Sequence, residues 1–411
     1  MRRSKENRQV IISISGCYGE NNIGDDILFM ALVRGIRARL HDCTIVAFTA
    51  NRKNTERLLV REGIEPESVR TVYSGRWGLF EPESPPLLSI LWIFQTFRWI
   101  HRSDLLLIGP GNPIKDDTNR FKLLFYLSRA VIAYLLKTPY AYIGVGVGNV
   151  TWRVSRCFFK IFGNRAVFIS ARDLVSAEKL SELGIDGPKV ISLADLSFCE
   201  TILPSFPENE RTMAPSIIGL SARHFSYKHF PENIIKNYYD SLISWCKWIN
   251  STYGCKFIFF PFCEEEHQSD FPAYDKLSSK LEPHSIRIEI YRCQNFSELK
   301  SQIAQCDLFL GTRFHSVLLA TQQNVPVLAI SYEEKAYKFM KEVGLEEYVI
   351  QIEELSFELL KHKWEQLYRN RESIQQNLNI IKQQQADLAS RYFDLIVQAV
   401  EKKIHGASVS W

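Results

Sequence analysis

The residues best suited to chemistry lie in Gly311-Thr312-Arg313-Phe314-His315-Ser316-Val317-Leu318-Leu319-Ala320. Cys306 to Leu310, just before them, reads as a short buried strand. Ser316 to Gln322 has the apolar spacing of a helix. Arg313 and His315 therefore fall on a strand-to-helix turn. Backbone N–H groups at a helix start carry partial positive charge and suit an anion. An arginine there adds a forked donor that matches a carboxylate or phosphate. A histidine two residues on can hold or transfer a proton near neutral pH. The next strand, Val325 to Ile330, leads into Ser331-Tyr332-Glu333-Glu334-Lys335, which puts Lys335 at its carboxyl end. Open α/β sheets bind ligands at those ends. Any one of these side chains alone is equally well explained by a surface ion pair or a packed loop. The three on consecutive strand ends point to an anion site.

Other strand ends carry similar residues. Arg223 follows the strand Ser216 to Leu220. The apolar run Val10 to Ser15 leads into Gly16-Cys17-Tyr18-Gly19-Glu20-Asn21-Asn22-Ile23-Gly24-Asp25-Asp26, then a helix from about Asp25 to Leu40. Glycines there let backbone approach a ligand closely, and Asp25 or Asp26 can cap the helix. A tight strand-to-helix connection explains the turn equally well. It is neither GxGxxG nor a P-loop. Asp104 to Ile108 is a strand ending in a second glycine-rich loop, Gly109 to Asp117, with Asn112 and the carboxylates Asp116 and Asp117. The GxGxG from Gly144 to Gly148 reads as close backbone packing.

The elements that must position these residues alternate strand and helix. A length of 411 residues exceeds what one core usually supports. The first alternation runs to about Asp195. Glu200 to Pro215 is polar, holds three prolines and reads as a linker. A second alternation starts at Ser216. The expected class is α/β, with two βα-alternating lobes facing each other across a cleft. The lobes are residues 1–199 and 216–385, joined by the linker 200–215. The helical tail, 386–411, is expected to cross back onto the first lobe.

Net charge is +4, and no basic run is interleaved with aromatics, so nucleic-acid binding is not implied. Nine scattered cysteines without a CxxC suit reduced thiols in the cytoplasm and offer no zinc site. Met1 to Gln9 is not followed by a signal-peptide pattern. Leu87 to Ile100 is apolar and aromatic but contains Gln95 and Arg98, and Phe121 to Leu136 is interrupted by Lys122 and Arg129. Both are shorter than the ~20 residues a spanning helix needs. Core helices account for both. The alternative is a helix lying at the membrane surface, where tryptophan and arginine suit the headgroup layer.

The chain resembles the polysaccharide pyruvyl transferase family over roughly residues 10–385. Three parts carry the resemblance: Gly16 to Asp26 with the helix after it, the loop Gly109 to Asp116, and Gly311 to Ala320 with Tyr332 and Lys335. Pro110 and Asn112 depart from it, standing where the family usually has glycines. The resemblance implies two Rossmann-like lobes similar to the two-lobed (GT-B type) glycosyltransferases. It implies transfer of a pyruvyl group from phosphoenolpyruvate onto two hydroxyls of a glycan or lipid-linked sugar, forming a ketal. Arg223, Arg313 and His315 would contact the donor, with His315 as general acid or phosphate donor and Lys335 on the leaving phosphate. Asn22, Asp25, Asp26, Asn112 and Asp116 would form the acceptor side, with one of the three aspartates orienting or deprotonating the hydroxyl. The scheme needs no metal and no cofactor. Two competing readings stay open: a sugar-nucleotide-dependent glycosyltransferase, and a non-catalytic partner in polysaccharide assembly.

Overall fold

A computed structural model describes residues 9–75, 86–117, 119–200, 215–225, 230–265 and 268–404. Most of the expected linker, 201–214, lies outside them. The chain divides into two compact units. The first comprises residues 1–20, 25–200 and 385–411, and the second residues 21–24 and 201–384. The last stretch of the chain therefore belongs to the first unit. So, in reverse, do four residues of the first glycine-rich turn belong to the second.

The first unit is built on the parallel strands β1 (Val10–Ser15), β2 (Cys43–Thr49), β3 (Val69–Tyr73), β4 (Leu105–Ile108), β5 (Gly111–Ile114), β6 (Tyr140–Val147), β7 (Phe168–Ala171) and β8 (Lys189–Ser192). Their order is β3-β2-β1-β4-β6-β7-β8, with β5 paired to β6 beside the main path. The central strands β4 and β6 are buried along their whole length because helices cover the sheet, which is the pattern of parallel strands. Those helices are α1 (Ile23–Arg39), α2 (Arg52–Arg61), α3 (Pro86–Arg102), α4 (Arg120–Leu135), α5 (Arg153–Gly163) and α6 (Leu174–Glu182). Tyr126, Tyr140, Tyr142 and Phe159 fill the core between the sheet and α4–α5.

The second unit orders its six parallel strands β11-β10-β9-β12-β13-β14. They are β9 (Ile217–Ser221), β10 (Lys256–Phe259), β11 (Ile288–Ile290), β12 (Leu308–Gly311), β13 (Val327–Ser331) and β14 (Val349–Gln351). The helices are α7 (Glu232–Tyr253), α8 (Phe271–Leu281), α9 (Phe296–Ala304), α10 (Phe314–Gln322), α11 (Glu334–Glu342), α12 (Phe357–Arg369) and the first part of the long α13 (Arg371–Ile404), whose residues from Gln385 on belong to the first unit. In order of appearance this sheet reads 3-2-1-4-5-6, the doubly wound Rossmann arrangement. Both units are thus Rossmann-like. Strand order reverses across the sheet between β9 and β12, where Ser221 stands level with Gly311. Ligands of such sheets bind outside the carboxyl ends at that reversal.

Candidate active site

The reversal point of the second unit holds Arg223, two residues past β9, and Arg313, two residues past β12. One side chain ties the two ends together. The Tyr238 hydroxyl accepts the Arg223 N–H (3.1 Å) and lies 2.9 Å from Thr312 Oγ1. Tyr238 comes from the buried face of α7, and the sequence reading gave it no role.

The two arginines are in opposite electrostatic states. Arg313, which precedes the first turn of α10, is clamped by Asp270. Its Nε lies 2.9 Å and its Nη2 2.6 Å from Asp270 Oδ1, and Nη2 also donates to the Gln268 carbonyl (2.5 Å). Burial by itself would favour loss of the guanidinium proton, but the Asp270 carboxylate outweighs it and holds Arg313 charged. Asp270 is wholly buried and accepts the N–H groups of Phe262 (2.9 Å) and Cys263 (3.1 Å) as well. The expected forked grip of Arg313 on a ligand is therefore spent inside the protein. Nη1 is the guanidinium nitrogen left without a hydrogen bond among the described residues.

Arg223 is 5% exposed and lies over the Tyr332 ring, 4.5 Å from its centroid. Among the described residues it meets no carboxylate, and its Nε is buried without a hydrogen-bond partner. Burying an unpaired charge is costly. A guanidinium so placed at the carboxyl end of a strand is positioned to receive an anion. Tyr332 is the residue just past β13, so its ring joins a third strand end to the group.

His315 sits in the first turn of α10. Its ring makes an edge contact with Phe314, with centroids 5.0 Å apart, and rests against Gly24 of the same unit. A Cβ on Gly24 would lie 1.9 Å from His315 Nδ1, so only glycine fits there. Asn22, expected on the acceptor side, instead belongs to this unit. It pairs with Cys263 in an isolated antiparallel bridge, and its Oδ1 accepts the Gly24 N–H (3.1 Å), capping α1. Lys335 is one residue inside α11 rather than at the strand end, and is 3.2 Å from Glu333.

In the first unit the remaining candidates separate. Asp26 does not cap the helix. It turns back to accept the Gly19 N–H (2.7 Å), and burial pushes its pKa up to about 7. Asp25 lies beside Gly111, and Asn112 lies over Gly146 next to the Arg172 guanidinium. A Gly146 Cβ would sit 2.0 Å from Asn112 Oδ1, which explains that glycine without a dinucleotide. Asp116 is engaged at the entrance to α5. It accepts from Thr151 N–H (2.6 Å), Thr151 Oγ1 (3.0 Å) and Trp152 N–H (3.1 Å). Burial opposes ionisation, but these bonds prevail and hold its pKa below the usual range. An open cavity of about 440 Å³ adjoins it at the carboxyl end of β6, lined in part by Asn149, Thr151, Arg153, Arg156 and Lys179.

The described residues contain no group of three or more His, Cys, Asp or Glu able to hold a metal ion. All nine cysteines are free thiols. Asp270 and Tyr238 are the residues that sequence reasoning did not single out, and Tyr332 entered it only as part of the family motif, without a role. The available signal was position: Asp270 ends the loop after β10, next to β9 in the sheet.

Comparison with known proteins bears on the family and the fold. The family model described as polysaccharide pyruvyl transferase matches residues 22–334. The amylovoran biosynthesis protein AmsJ of Erwinia amylovora is 24% identical over 274 residues, or 64% of this chain. That match spans 66% of the relative's own length, just under two thirds. Among solved structures, UDP-GlcNAc 2-epimerase from Neisseria meningitidis, bound to UDP-GlcNAc, superposes with a TM-score of 0.62 at 13% identity, covering 95% of this chain and 99% of that one. S. aureus MnaA with UDP gives 0.61 at 14% identity, covering 97% of both chains. At these identities the likeness concerns the fold alone.

Proposed function

Because the chain belongs to the polysaccharide pyruvyl transferase family, we propose that it transfers a pyruvyl group from phosphoenolpyruvate to two hydroxyls of a sugar. The acceptor is a cell-surface polysaccharide or its lipid-linked precursor, and the product a pyruvate ketal. The observation that carries this reading is Arg223, a buried cation that meets no carboxylate among the described residues, at the reversal point of a Rossmann sheet. Phosphoenolpyruvate, with a carboxylate and a phosphate on three carbons, supplies an anion for it. Arg313, fixed by Asp270, offers Nη1 as a second donor.

Protonation of the vinyl CH2 by His315 makes a methyl group and leaves an electron-poor C2. One sugar hydroxyl adds there and returns its proton to His315, restoring the acid. The C2–O bond to phosphate then breaks, with Lys335 stabilising the charge that builds on the leaving oxygen. The second hydroxyl closes the ring, and its proton leaves with inorganic phosphate. We assign the acceptor to Asp25, Asn112 and their neighbours in the first unit, whose amides and carboxylates suit hydroxyls. Asp26 and Asp116 act there as positioning residues. The protein works in the cytoplasm, at the membrane where such glycans are assembled.

The test is titration of phosphoenolpyruvate into the wild type and Arg223→Met, with melting curves for both. Arg223→Met is expected to lose affinity about a hundredfold or more, while its melting temperature holds or rises because an unpaired buried charge is gone. Cells lacking the protein should yield glycan short of the ketal mass. If the wild type ignores phosphoenolpyruvate and binds a nucleotide sugar, the reading gives way to that of a glycosyltransferase.

A further inference from the structure

The helices α3, α4 and α5 form one layer on the first unit, with α4 packed against both neighbours. Their inner faces enter the core through Ile100, Leu123, Tyr126 and Phe159. Their outer faces are also apolar. Phe94 is 67% exposed, Phe121 52% and Phe158 45%. Phe97 lies one turn beyond Phe94, and Val154 and Ile161 flank Phe158 at helical spacing; all three are exposed. Scattered exposed apolar residues need no explanation, but a layer of three helices bearing them along adjoining outer faces does.

Charge decides what covers this layer. The chain has 46 acidic residues, and none falls in α3, α4 or α5. Exposed bases do: Arg98 and Arg102 on α3, Arg120 on α4, and Arg153, Arg156 and Lys160 on α5. None of these six forms an ion pair among the described residues. A second copy docked by the same face would set like charges against each other, since a two-fold interface is self-complementary. An anionic bilayer surface fits both properties. Aromatic side chains enter the headgroup–acyl boundary, while arginine and lysine meet lipid phosphates. No helix among the described residues is long and apolar enough to cross a membrane, so the mode is lying on the surface.

We propose that the outer face of α3–α4–α5 docks this protein on membranes rich in anionic phospholipid. The proposal deepens the membrane placement above, yet its test needs neither phosphoenolpyruvate nor an acceptor. The full chain is mixed with vesicles of phosphatidylcholine alone, or of phosphatidylcholine with phosphatidylglycerol, and floated. Binding is expected to the anionic vesicles, to weaken at high salt, and to be slight on the neutral ones. Phe158→Ser is expected to weaken it roughly thirtyfold, from the transfer free energy of one phenylalanine. Arg153→Glu with Arg156→Glu should weaken it further. All these side chains are exposed, so unchanged melting curves are expected and serve as the folding control. Absence of flotation, equal flotation with neutral vesicles, or unchanged flotation of Phe158→Ser would each overturn the proposal. So would a dimer in lipid-free solution that Phe158→Ser dissolves, because the face would then belong to a second copy.

Discussion

Replacing Asp270 with asparagine tests the donor site and its scaffold together. The carboxylate is wholly buried and receives Arg313 Nε and Nη2 and the N–H groups of Phe262 and Cys263. Asparagine keeps one oxygen and turns an NH2 toward donors that need an acceptor. It also leaves the Arg313 charge buried without its partner. Breaking a buried pair on one side costs about 3–5 kcal/mol. A domain of 150–250 residues shifts by about 2–4 °C per kcal/mol, so the second unit should melt about 6–20 °C lower. Scanning calorimetry reads that shift. Phosphoenolpyruvate titration below both transitions should show weaker binding as well, because Arg313 Nη1 is no longer held in place. Asp270→Leu combined with Arg313→Met should regain most of the stability, since replacing both partners by apolar groups is far less costly. It should not regain donor binding. An Asp270→Asn transition within about 2 °C of wild type would refute the reasoning.

Gly24→Ala must displace the His315 ring, whose Nδ1 would lie 1.9 Å from the new Cβ; turnover should fall toward that of His315→Gln while donor affinity changes by only a few-fold. Near-normal turnover in His315→Gln would remove the proton-donor role. Asp116→Asn should cost about 1–3 kcal/mol at neutral pH through the entrance to α5. Because the folded pKa of Asp116 is depressed, its stabilisation is present above about pH 4 and fades as pH falls through the folded value; urea melts across pH read the convergence with the variant. Asp26 has the opposite sign. Its pKa is raised to about 7, so its stabilisation is complete below about pH 4 and is lost as pH rises through 7. Asp26→Asn should therefore flatten that part of the stability profile, and an unchanged profile would show that Asp26 stays ionised in the fold.

By itself the sequence determined the class of fold and most of its elements. Leu105–Ile108 is apolar throughout and Val10–Ser15 is broken only by Ser13 and Ser15, because parallel strands are covered on both faces, and that signal is local. It also placed Arg223, Arg313 and His315 at strand ends, since a strand followed by a helix fixes where the turn falls. It did not reveal β5: Gly111-Asn112-Pro113-Ile114 has loop composition, and the strand exists because β6 offers it an edge.

What each polar group does was decided only by tertiary structure. Arg313 and Arg223 look alike in sequence, each an arginine shortly after a buried strand. One meets Asp270, 43 residues away, and the other meets no carboxylate among the described residues. Asn22 and Gly24 sit near the start of the chain, yet pack with Cys263 and His315 in the second unit. Asp26 and Asp116 look like catalytic carboxylates until their oxygens are traced to backbone N–H groups. The physical reason is the same in each case. Propensity and periodicity are summed over neighbouring residues, whereas desolvation and charge pairing depend on which distant groups the sheet order brings within about 3 Å.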